Sequence, residues 1–374
     1  MNPRELFCPN AACPSTGVLG AGNVVVHSRN PPRCKCTTCG KTFTPSKGTA
    51  FYRIHLKELF RIVVTLLAFG CPPQAIVRAF GLDERTVFAW LKRAGKQAER
   101  VHEALVTEQP QDLQHVQADE VRVKLQRRLI VWMAMAIQVP TRLWLGGVLS
   151  ASRDKKLIER LVTKVKACAL FGRMLLVADG LASYVHAWQR AFRSSVWTGK
   201  RGRPELIAWP FVIGQVIKQH ENGRVVGVLQ KVVQGTLEEA RALHATAQIN
   251  TAYIERLNAT FRARLCALVR RGRALLRQTQ TLHAGMWLVG TVYNFCTFHK
   301  SLRIACDEQT NEQTNEQRIR RKWHERTPAM AAGITDHYWT VQELMSYHVK
   351  PPFIAPRKPG RKPKFQNRRT QLYV

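Results

Sequence analysis

Three apolar segments follow one another between residues 112 and 151 and restrict the folds open to this chain. They read "LQHVQADEVRVKL", "RRLIVWMAMAIQV" and "RLWLGGVLSA", and their composition predicts three consecutive β-strands. The helical pattern "DKKLIERLVTKVKACAL" comes next, then the short apolar strand "GRMLLVADG" and the helix "YVHAWQRAF". This order predicts one β-sheet with helices packed on it.

Residues 112–303 form the longest globular stretch, and their order of elements resembles that of an RNase H-like α/β fold. A hairpin is expected around Asn222-Gly223. Residues 250–273 are predicted to form one helix, which carries six arginines and a single acid, Glu255. A surface helix ordinarily mixes both signs of charge, so this pattern indicates an acid held beside a polyanion.

Three acids occupy positions where carboxylates are uncommon. Asp119 lies inside the first predicted strand, Asp179 ends the fourth, and Glu255 begins the later helix. In an RNase H-like fold the first and fourth strands are neighbours, so the three side chains would converge. Clustered carboxylates suit Mg²⁺ or Mn²⁺, and two such ions support in-line phosphoryl transfer. Glu120 competes with Asp119, but strand alternation predicts that only one of them points into the site.

Simpler interpretations of the same residues stay open. Asp179 can serve only as a turn residue, and Glu255 can pair with Arg256 or Arg262 on its own helix. Asn258 and Arg262 share the helix face of Glu255, so we expect them to contact DNA or to orient the acid.

The N-terminal segment 1–48 is rich in Cys, Gly and Pro, and it contains a Cys-x4-Cys pair and a Cys-x2-Cys pair. Two such turns joined by a β-hairpin supply four thiolates in the tetrahedral geometry of a structural Zn²⁺. The predicted ligands are Cys8, Cys13, Cys36 and Cys39. Cys34 is a fifth candidate and is left out. The alternative is a set of unligated cysteines.

Residues 52–105 are predicted to form an all-α helix-turn-helix domain around "PPQAIVRAFGLDERTVFAWLKRAGK". Gly81 is expected in the turn, and Asp83 is expected to cap the second helix. The side chains predicted to face a DNA major groove are Arg85, Thr86 and Lys92. A helical hairpin used only for packing is the alternative.

The charge balance favours a polyanionic partner. The chain has 58 Lys and Arg against 25 Asp and Glu, a formal net charge of +33. Such an excess is typical of proteins that bind nucleic acid, and we expect double-stranded DNA. No apolar run reaches the roughly 18 residues of a membrane span, and no signal-peptide pattern is present, so we expect a cytoplasmic location without membrane association.

Three smaller segments complete the predicted organisation. Arg201 and Arg203 in "KRGRPEL" can enter a DNA minor groove, although a plain basic loop is the alternative. Residues 304–320 are predicted to be a polar loop, 321–350 to pack on the core, and 351–374 to be a basic disordered tail.

The motifs "QADEV", "VADG" and "YIERLNATFR" closely resemble the catalytic motifs of D-D-E transposases from bacterial insertion sequences. The cysteine-rich start resembles the zinc ribbon that precedes a helix-turn-helix in one subgroup, and the likeness covers about residues 6–345. The resemblance implies an RNase H-like catalytic core, with Asp119, Asp179 and Glu255 as metal-binding catalytic acids. It also implies element ends as substrate, a homodimer or larger synaptic assembly, and association with a bacterial nucleoid. Cys34 and the "EQTNEQ" repeat depart from that pattern.

The predicted fold is therefore α/β, with an RNase H-like core preceded by a zinc ribbon and a helix-turn-helix domain. The predicted function is a DNA transposase that cuts and joins strands with Mg²⁺ or Mn²⁺ and carries a structural Zn²⁺. Two alternatives stay open, a catalytically silent DNA-binding regulator and an RNase H-like structure-directed nuclease such as a junction resolvase. The ribbon and helix-turn-helix favour recognition of a fixed DNA sequence over recognition of a branched structure.

Overall fold

The computed structural model describes residues 2–126, 129–197, 199, 203–222, 224–243, 249–268, 278–305 and 323–350. The chain divides into two units, one of described residues up to Gly48 with those from His348 onward, the other from Thr49 to Tyr347. Several predicted features lie wholly or partly outside the described residues, namely Arg201, Gly223 of the hairpin, residues 269–273 of the helix that carries Glu255, the loop 304–320 beyond its first two residues, residues 321–322 of the next segment, and the tail 351–374.

The first unit is built on a small antiparallel sheet with the strand order β1-β2-β3. Its strands are β1 (Val24–Arg29), β2 (Pro32–Cys36) and β3 (Thr42–Phe43). The hairpin predicted between the two cysteine pairs is therefore present. Leu6, Val24 and Phe43 pack with buried cysteines into a core of few side chains, too small to stabilise a fold without further support.

The second unit contains a six-stranded mixed sheet with the order β11-β10-β7-β4-β5-β6. Its strands are β4 (His115–Lys124), β5 (Ile130–Gln138), β6 (Trp144–Ser150), β7 (Met174–Asp179), β10 (Phe211–Glu221) and β11 (Arg224–Gln234). β4, β5 and β6 pair antiparallel, β4 and β10 each pair parallel with β7, and β11 pairs antiparallel with β10. The predicted mixed α/β class is confirmed.

The helices lie before, between and after these strands. They are α1 (Lys57–Ala68), α2 (Pro73–Phe80), α3 (Glu84–His102), α4 (Lys155–Ala167), α5 (Ala182–Ala191), α6 (Leu237–Leu243), α7 (Ala252–Arg264), α8 (Thr279–Cys296), α9 (Pro328–Ala331) and α10 (Val341–Ser346). Two short ribbons complete the described structure, β8 (Arg193–Val196) with β9 (Glu205–Ala208), and β12 (Ile304–Ala305) with β13 (Trp323–His324). Among the described helices, none combines the length and apolar character needed to cross a bilayer.

The turn between α2 and α3 forms as its sequence predicts. Gly81 follows α2 in the left-handed conformation, with φ of 61°, which costs glycine little. Asp83 caps α3, because its Oδ1 accepts a hydrogen bond from the Arg85 N–H at 2.7 Å. The sequence around this turn therefore sets the end of one helix and the start of the next.

Helix α8 is the centre of the second unit, and nearly all of its side chains are buried. It meets α3 where Gly95 approaches Ala284, since a Cβ on Gly95 would lie 2.4 Å from the Ala284 carbonyl oxygen. It meets β6 where a Cβ on Gly290 would lie 2.2 Å from the Trp144 ring. Two glycines thus permit contacts that larger side chains would prevent.

Helix α7 is shorter than predicted. The pattern indicated one helix through Arg273, but the described backbone leaves α7 after Arg264, and Leu265 is extended. The last turn packs closely on Gly70, where a Cβ would lie 2.8 Å from the Ala263 carbonyl oxygen. The Arg264 guanidinium also lies 4.8 Å from the ring centre of Phe69. These tertiary contacts fix an end that the apolar periodicity does not reveal.

We expect Gly95→Ala to destabilise the second unit, because the new methyl group would overlap backbone atoms of α8 that cannot move alone. The expected loss is about 1–3 kcal/mol of unfolding free energy, measured by denaturant titration. Gly172→Ala is the control, since its nearest contact would be an ordinary 3.9 Å from the Asp112 carboxylate. Equal stability of the two variants would contradict this account of the α3–α8 contact.

Candidate functional site

The parallel pairing of β4 with β7 brings two of the predicted acids side by side. Gln117 on β4 pairs with Val177 on β7. Asp119 and Asp179 each lie two residues further along their strands, so they share a register position and a face. β7 ends at Asp179, where β10 contributes Val216 to the neighbouring position.

Gln117 connects the same strand to the helix that carries the third acid. Its buried Oε1 accepts hydrogen bonds from the backbone N–H groups of Tyr253 at 3.1 Å and Ile254 at 3.0 Å. Its Nε2 donates to the Asn250 carbonyl at 2.7 Å. Gln117 thus pairs backbone N–H groups in the first turn of α7 that have no partner within the helix. This contact fixes the start of α7 and with it the position of Glu255. Gln117 was not predicted from the sequence. The pattern that could have revealed it is a polar residue in an apolar strand, two positions before Asp119 and therefore on the same face.

Asn258 lies one turn after Glu255 and contacts the first acid. Its Nδ2 donates to Asp119 Oδ2 at 2.7 Å, and the backbone N–H of Glu120 donates to Asp119 Oδ1 at 2.8 Å. Asn258 is only 1% exposed. Of the two roles predicted for it, orientation of the acid is the one that these contacts support.

All three predicted acids line one cavity of about 460 Å³. Its lining residues are Asp119, Arg153, Asp179, Gly180, Leu181, Val216, Ile217, Lys218, Thr251 and Glu255. Three acids from distant parts of the chain therefore meet at one open cavity. Strand order, register and the Gln117 contact bring them together.

Glu120 belongs to the close group of acids without lining the cavity. Strand alternation predicted that only one of Asp119 and Glu120 would point into the site, and of the two only Asp119 is among the residues that line the cavity. Carboxylate oxygens of Asp119, Glu120 and Asp179 nevertheless lie within 4.8 Å of one another, and the Glu120 side chain is 0% exposed. Arg153 holds it there, with Nη2 at 2.9 Å from Glu120 Oε2 and 2.8 Å from Asp179 Oδ2.

Glu255 stands outside that close group and has partners of its own. Lys218 Nζ lies 2.5 Å from Glu255 Oε1, and the Thr251 hydroxyl donates to the same oxygen at 3.0 Å. Partial burial raises the pKa of Glu255, but the hydrogen bonds from Lys218 and Thr251 and the charge of Arg262 outweigh it and lower the pKa overall. The carboxylate is therefore ionised and half-exposed at the cavity wall.

Asp119 has the opposite electrostatic character. Burial is the main cause that raises its pKa to about 7, and the negative charges of Glu120, Asp179 and Glu255 add to it. Burial and the charge of Asp179 also raise the pKa of Glu120. Such shifts mark acids crowded together without enough compensating charge, which is the state that a bound cation relieves.

The donor set fits a hard divalent cation. The converging groups are carboxylates, the ligands that Mg²⁺ and Mn²⁺ favour. The buried Glu120 carboxylate has the Arg153 guanidinium and the Tyr184 hydroxyl as hydrogen-bonding neighbours. Asp119, Glu120 and Asp179 could therefore hold Mg²⁺, and Glu255 faces the same cavity.

The four cysteines predicted as zinc ligands form a second candidate metal site. Their Sγ atoms lie within 4.8 Å of one another, with Cys8 and Cys39 separated by 3.6 Å and Cys13 and Cys36 by 3.8 Å. A tetrahedron with Zn–S distances of about 2.3 Å has sulfur separations of about 3.8 Å, so the geometry fits. Cys34, buried two residues before Cys36 on β2, is not in this group.

Backbone donors prepare two of these thiols for a metal. A hydrogen bond from the backbone of Lys41 lowers the pKa of Cys39 to about 6. Burial raises the pKa of Cys36, but backbone hydrogen bonds, first that from Cys39, lower it overall. Asn23 Nδ2 also donates to Cys36 Sγ at 3.5 Å. Hydrogen bonds that favour thiolates are the support that a structural zinc site uses.

The residues predicted to contact DNA occupy varied positions. Arg85 and Lys92 are exposed on α3 and Thr86 is half-buried there, with Lys92 Nζ donating to Gln278 Oε1 at 2.9 Å. Arg203 is exposed in the turn before β9. DNA contacts by these side chains and by Arg262 stay predictions.

The chain was compared with known proteins. No protein-family model matches it, and a search of curated proteins finds no match.

We expect Cys8→Ser to remove zinc from the purified protein, because a tetrahedral site that loses one of four thiolates binds far more weakly. Cys34→Ser is the matched control, since Cys34 is equally buried in the same unit but outside the cluster. Metal analysis should find zinc in wild type and in Cys34→Ser. Loss of zinc from Cys34→Ser alone would reassign the ligand set.

We expect the wild type without divalent cation to lose stability relative to Asp119→Asn as the pH rises. The native carboxyl keeps its proton up to about pH 7, whereas the unfolded chain loses it near 3.8. The contribution of Asp119 to the free energy of unfolding is therefore full below pH 3.8 and is lost as the pH approaches 7. The expected loss is on the order of 4 kcal/mol. Denaturant titrations between pH 3.8 and 7 measure the free energy of unfolding of both proteins. The same pH dependence in wild type and Asp119→Asn would contradict the prediction.

Proposed function

We propose that this protein is a DNA transposase that binds the ends of an insertion sequence and cuts and joins strands in a metal-dependent reaction. The observation that carries the proposal is the shared cavity of Asp119, Asp179 and Glu255. These three residues belong to the motifs that resemble the D-D-E catalytic motifs. Two come from neighbouring parallel strands and one from a helix bonded to the first strand.

The sheet supports an RNase H-like identity for the core. Three antiparallel strands β4, β5 and β6 lie beside β7 and β10, which run parallel to β4. The first and fourth strands of the core are adjacent, as that fold requires for the acids to meet. β11 adds an antiparallel strand at the edge beyond β10.

The chain's own residues divide the work of the site. Asp119 and Asp179 provide adjacent carboxylates, and Asn258 fixes the orientation of Asp119. Thr251 and Lys218 hold Glu255 ionised at the cavity wall. Two bound divalent cations would supply activation of the attacking hydroxyl and stabilisation of the leaving oxygen. The positive charge of the chain would hold the DNA backbone against these acids.

DNA recognition is assigned to the exposed start of α3 and the zinc ribbon. Arg85 projects from the first turn of α3, which follows the turn formed by Gly81 and Asp83. This is the arrangement in which a recognition helix enters a major groove. Two or more copies would assemble, because joining an element to its target requires both ends in one complex.

We expect Asp119→Asn, Asp179→Asn and Glu255→Gln each to lower Mg²⁺-dependent DNA cleavage by at least roughly a hundredfold. End binding should change little, because the acids make no favourable contact with phosphates. The assay incubates full-length protein with a labelled fragment of its flanking DNA and supercoiled plasmid. Cleavage is followed on denaturing gels, and binding is followed by mobility shift.

Glu108→Gln is the control for loss of an acid, since Glu108 is exposed and outside the cavity. Undiminished cleavage by any of the three acid variants would overturn the proposed triad. Tight end binding by wild type without cleavage in Mg²⁺ or Mn²⁺ would favour the silent regulator. Preference for branched DNA over a fixed end would favour the structure-directed nuclease.

A further inference from the structure

Arg153 enters the acidic cluster from the residues just before α4 and makes contacts unlike those of an ordinary surface arginine. Its Nη2 lies 2.9 Å from Glu120 Oε2 and 2.8 Å from Asp179 Oδ2, and its Nε donates to Glu120 Oε2 at 3.3 Å. The guanidinium carbon also lies 5.3 Å from the Trp132 ring centre. A cationic side chain is thus held where two of the three clustered acids meet.

The two carboxylates hold Arg153 unequally. Arg153 donates two N–H groups to the Glu120 side chain, which is 0% exposed, and one to the Asp179 side chain, which is 37% exposed. A buried carboxylate that loses its cation remains unpaired away from water, which is strongly unfavourable. A half-exposed carboxylate can instead exchange its partner for water or for another cation. Glu120 is therefore the anchor, and Asp179 is the contact that can be released.

A divalent cation between Asp119 and Asp179 would compete with Arg153 for the Asp179 carboxylate, whose Oδ2 now accepts a hydrogen bond from Arg153 Nη2. Positive charges a few ångströms apart repel each other, and partial burial strengthens the repulsion relative to water. Metal binding at Asp179 and the Arg153–Asp179 contact therefore oppose each other. The Arg153–Glu120 contact does not involve Asp179 and can persist.

We propose that Arg153 is a resident counter-cation that holds the acids in place before metal binds and then yields Asp179 to the metal. Glu120 keeps the guanidinium at the cavity wall, where the freed N–H groups can donate to a phosphate oxygen of DNA. Arg153 is in this sense a positioning residue that prepares the site. The inference rests on the proposed function only in taking Asp179 as a metal ligand.

The first test is Mn²⁺ binding to zinc-loaded full-length protein, followed by the electron paramagnetic resonance signal of free Mn²⁺. Arg153→Gln should bind Mn²⁺ roughly tenfold more tightly than wild type, because a competing charge is gone. Arg153→Lys keeps that charge and should stay near the wild-type affinity. Arg190→Gln is the matched control, since Arg190 is 76% exposed and pairs only weakly with Glu159 at 3.4 Å, and its affinity should stay near wild type.

The second test is thermal unfolding with and without Mn²⁺. Without metal, Arg153→Gln should melt on the order of 3 °C below wild type, since the acids lose their counter-charge. Saturating Mn²⁺ should return its melting temperature to that of metal-bound wild type, because the metal replaces the missing cation. A merely structural arginine would give a loss that metal does not restore.

The outcomes separate the two proposals. Wild-type Mn²⁺ binding with equal or weaker binding by Arg153→Gln would overturn the role of Arg153 and leave the proposed function standing. Absence of Mn²⁺ binding in every variant would overturn the metal site itself and both proposals with it. If Arg153→Gln folds only when Mn²⁺ is added, the counter-cation role is supported, and failure to fold even with Mn²⁺ overturns it.

Discussion

The parallel pairing of β4 with β7 is the constraint on which the candidate site depends. It places Asp119 and Asp179 at one level of the sheet, and the end of β7 leaves open the space into which they face. The same strand binds the first turn of α7 through Gln117, so the position of Glu255 follows from β4 as well. One strand therefore contributes an acid, aligns a second and anchors the helix of a third.

Crowding of carboxylates is offset by cations that the chain supplies itself. Arg153 bridges Glu120 and Asp179, and Lys218 pairs with Glu255. Asp119 has a hydrogen-bonding amide instead of a cation, and burial, with the charges of its acidic neighbours, raises its pKa. The candidate zinc site uses softer ligands: backbone hydrogen bonds favour the thiolate forms of Cys36 and Cys39, and the four sulfurs lie close enough together to hold one Zn²⁺.

Much of this arrangement could be predicted from the sequence, because it depends on local pattern. Strand composition predicted that β4, β5, β6 and β7 follow one another along the chain, and the spacing of cysteines predicted the four that cluster. Gln117 and Arg153 escaped prediction because their partners lie far away in sequence. Strand alternation predicted that one of Asp119 and Glu120 faces the cavity, and Asp119 does, whereas the closeness of the Glu120 carboxylate to Asp179 was not predicted. The end of α7 at Arg264 depends on its packing against Gly70, which helical periodicity does not encode.

The length and packing of helix α3 have a further consequence under the proposed function. Its first turn carries the exposed Arg85, and its later turns are locked to α8 at Gly95 without an intervening hinge. The helix has 19 residues and so spans roughly 28 Å. If α3 reads DNA as proposed, this rigid helix sets a fixed distance between the bases that it contacts and the catalytic unit. The cut would then fall at a set number of base pairs from the recognised sequence, because the geometry of the protein determines that spacing.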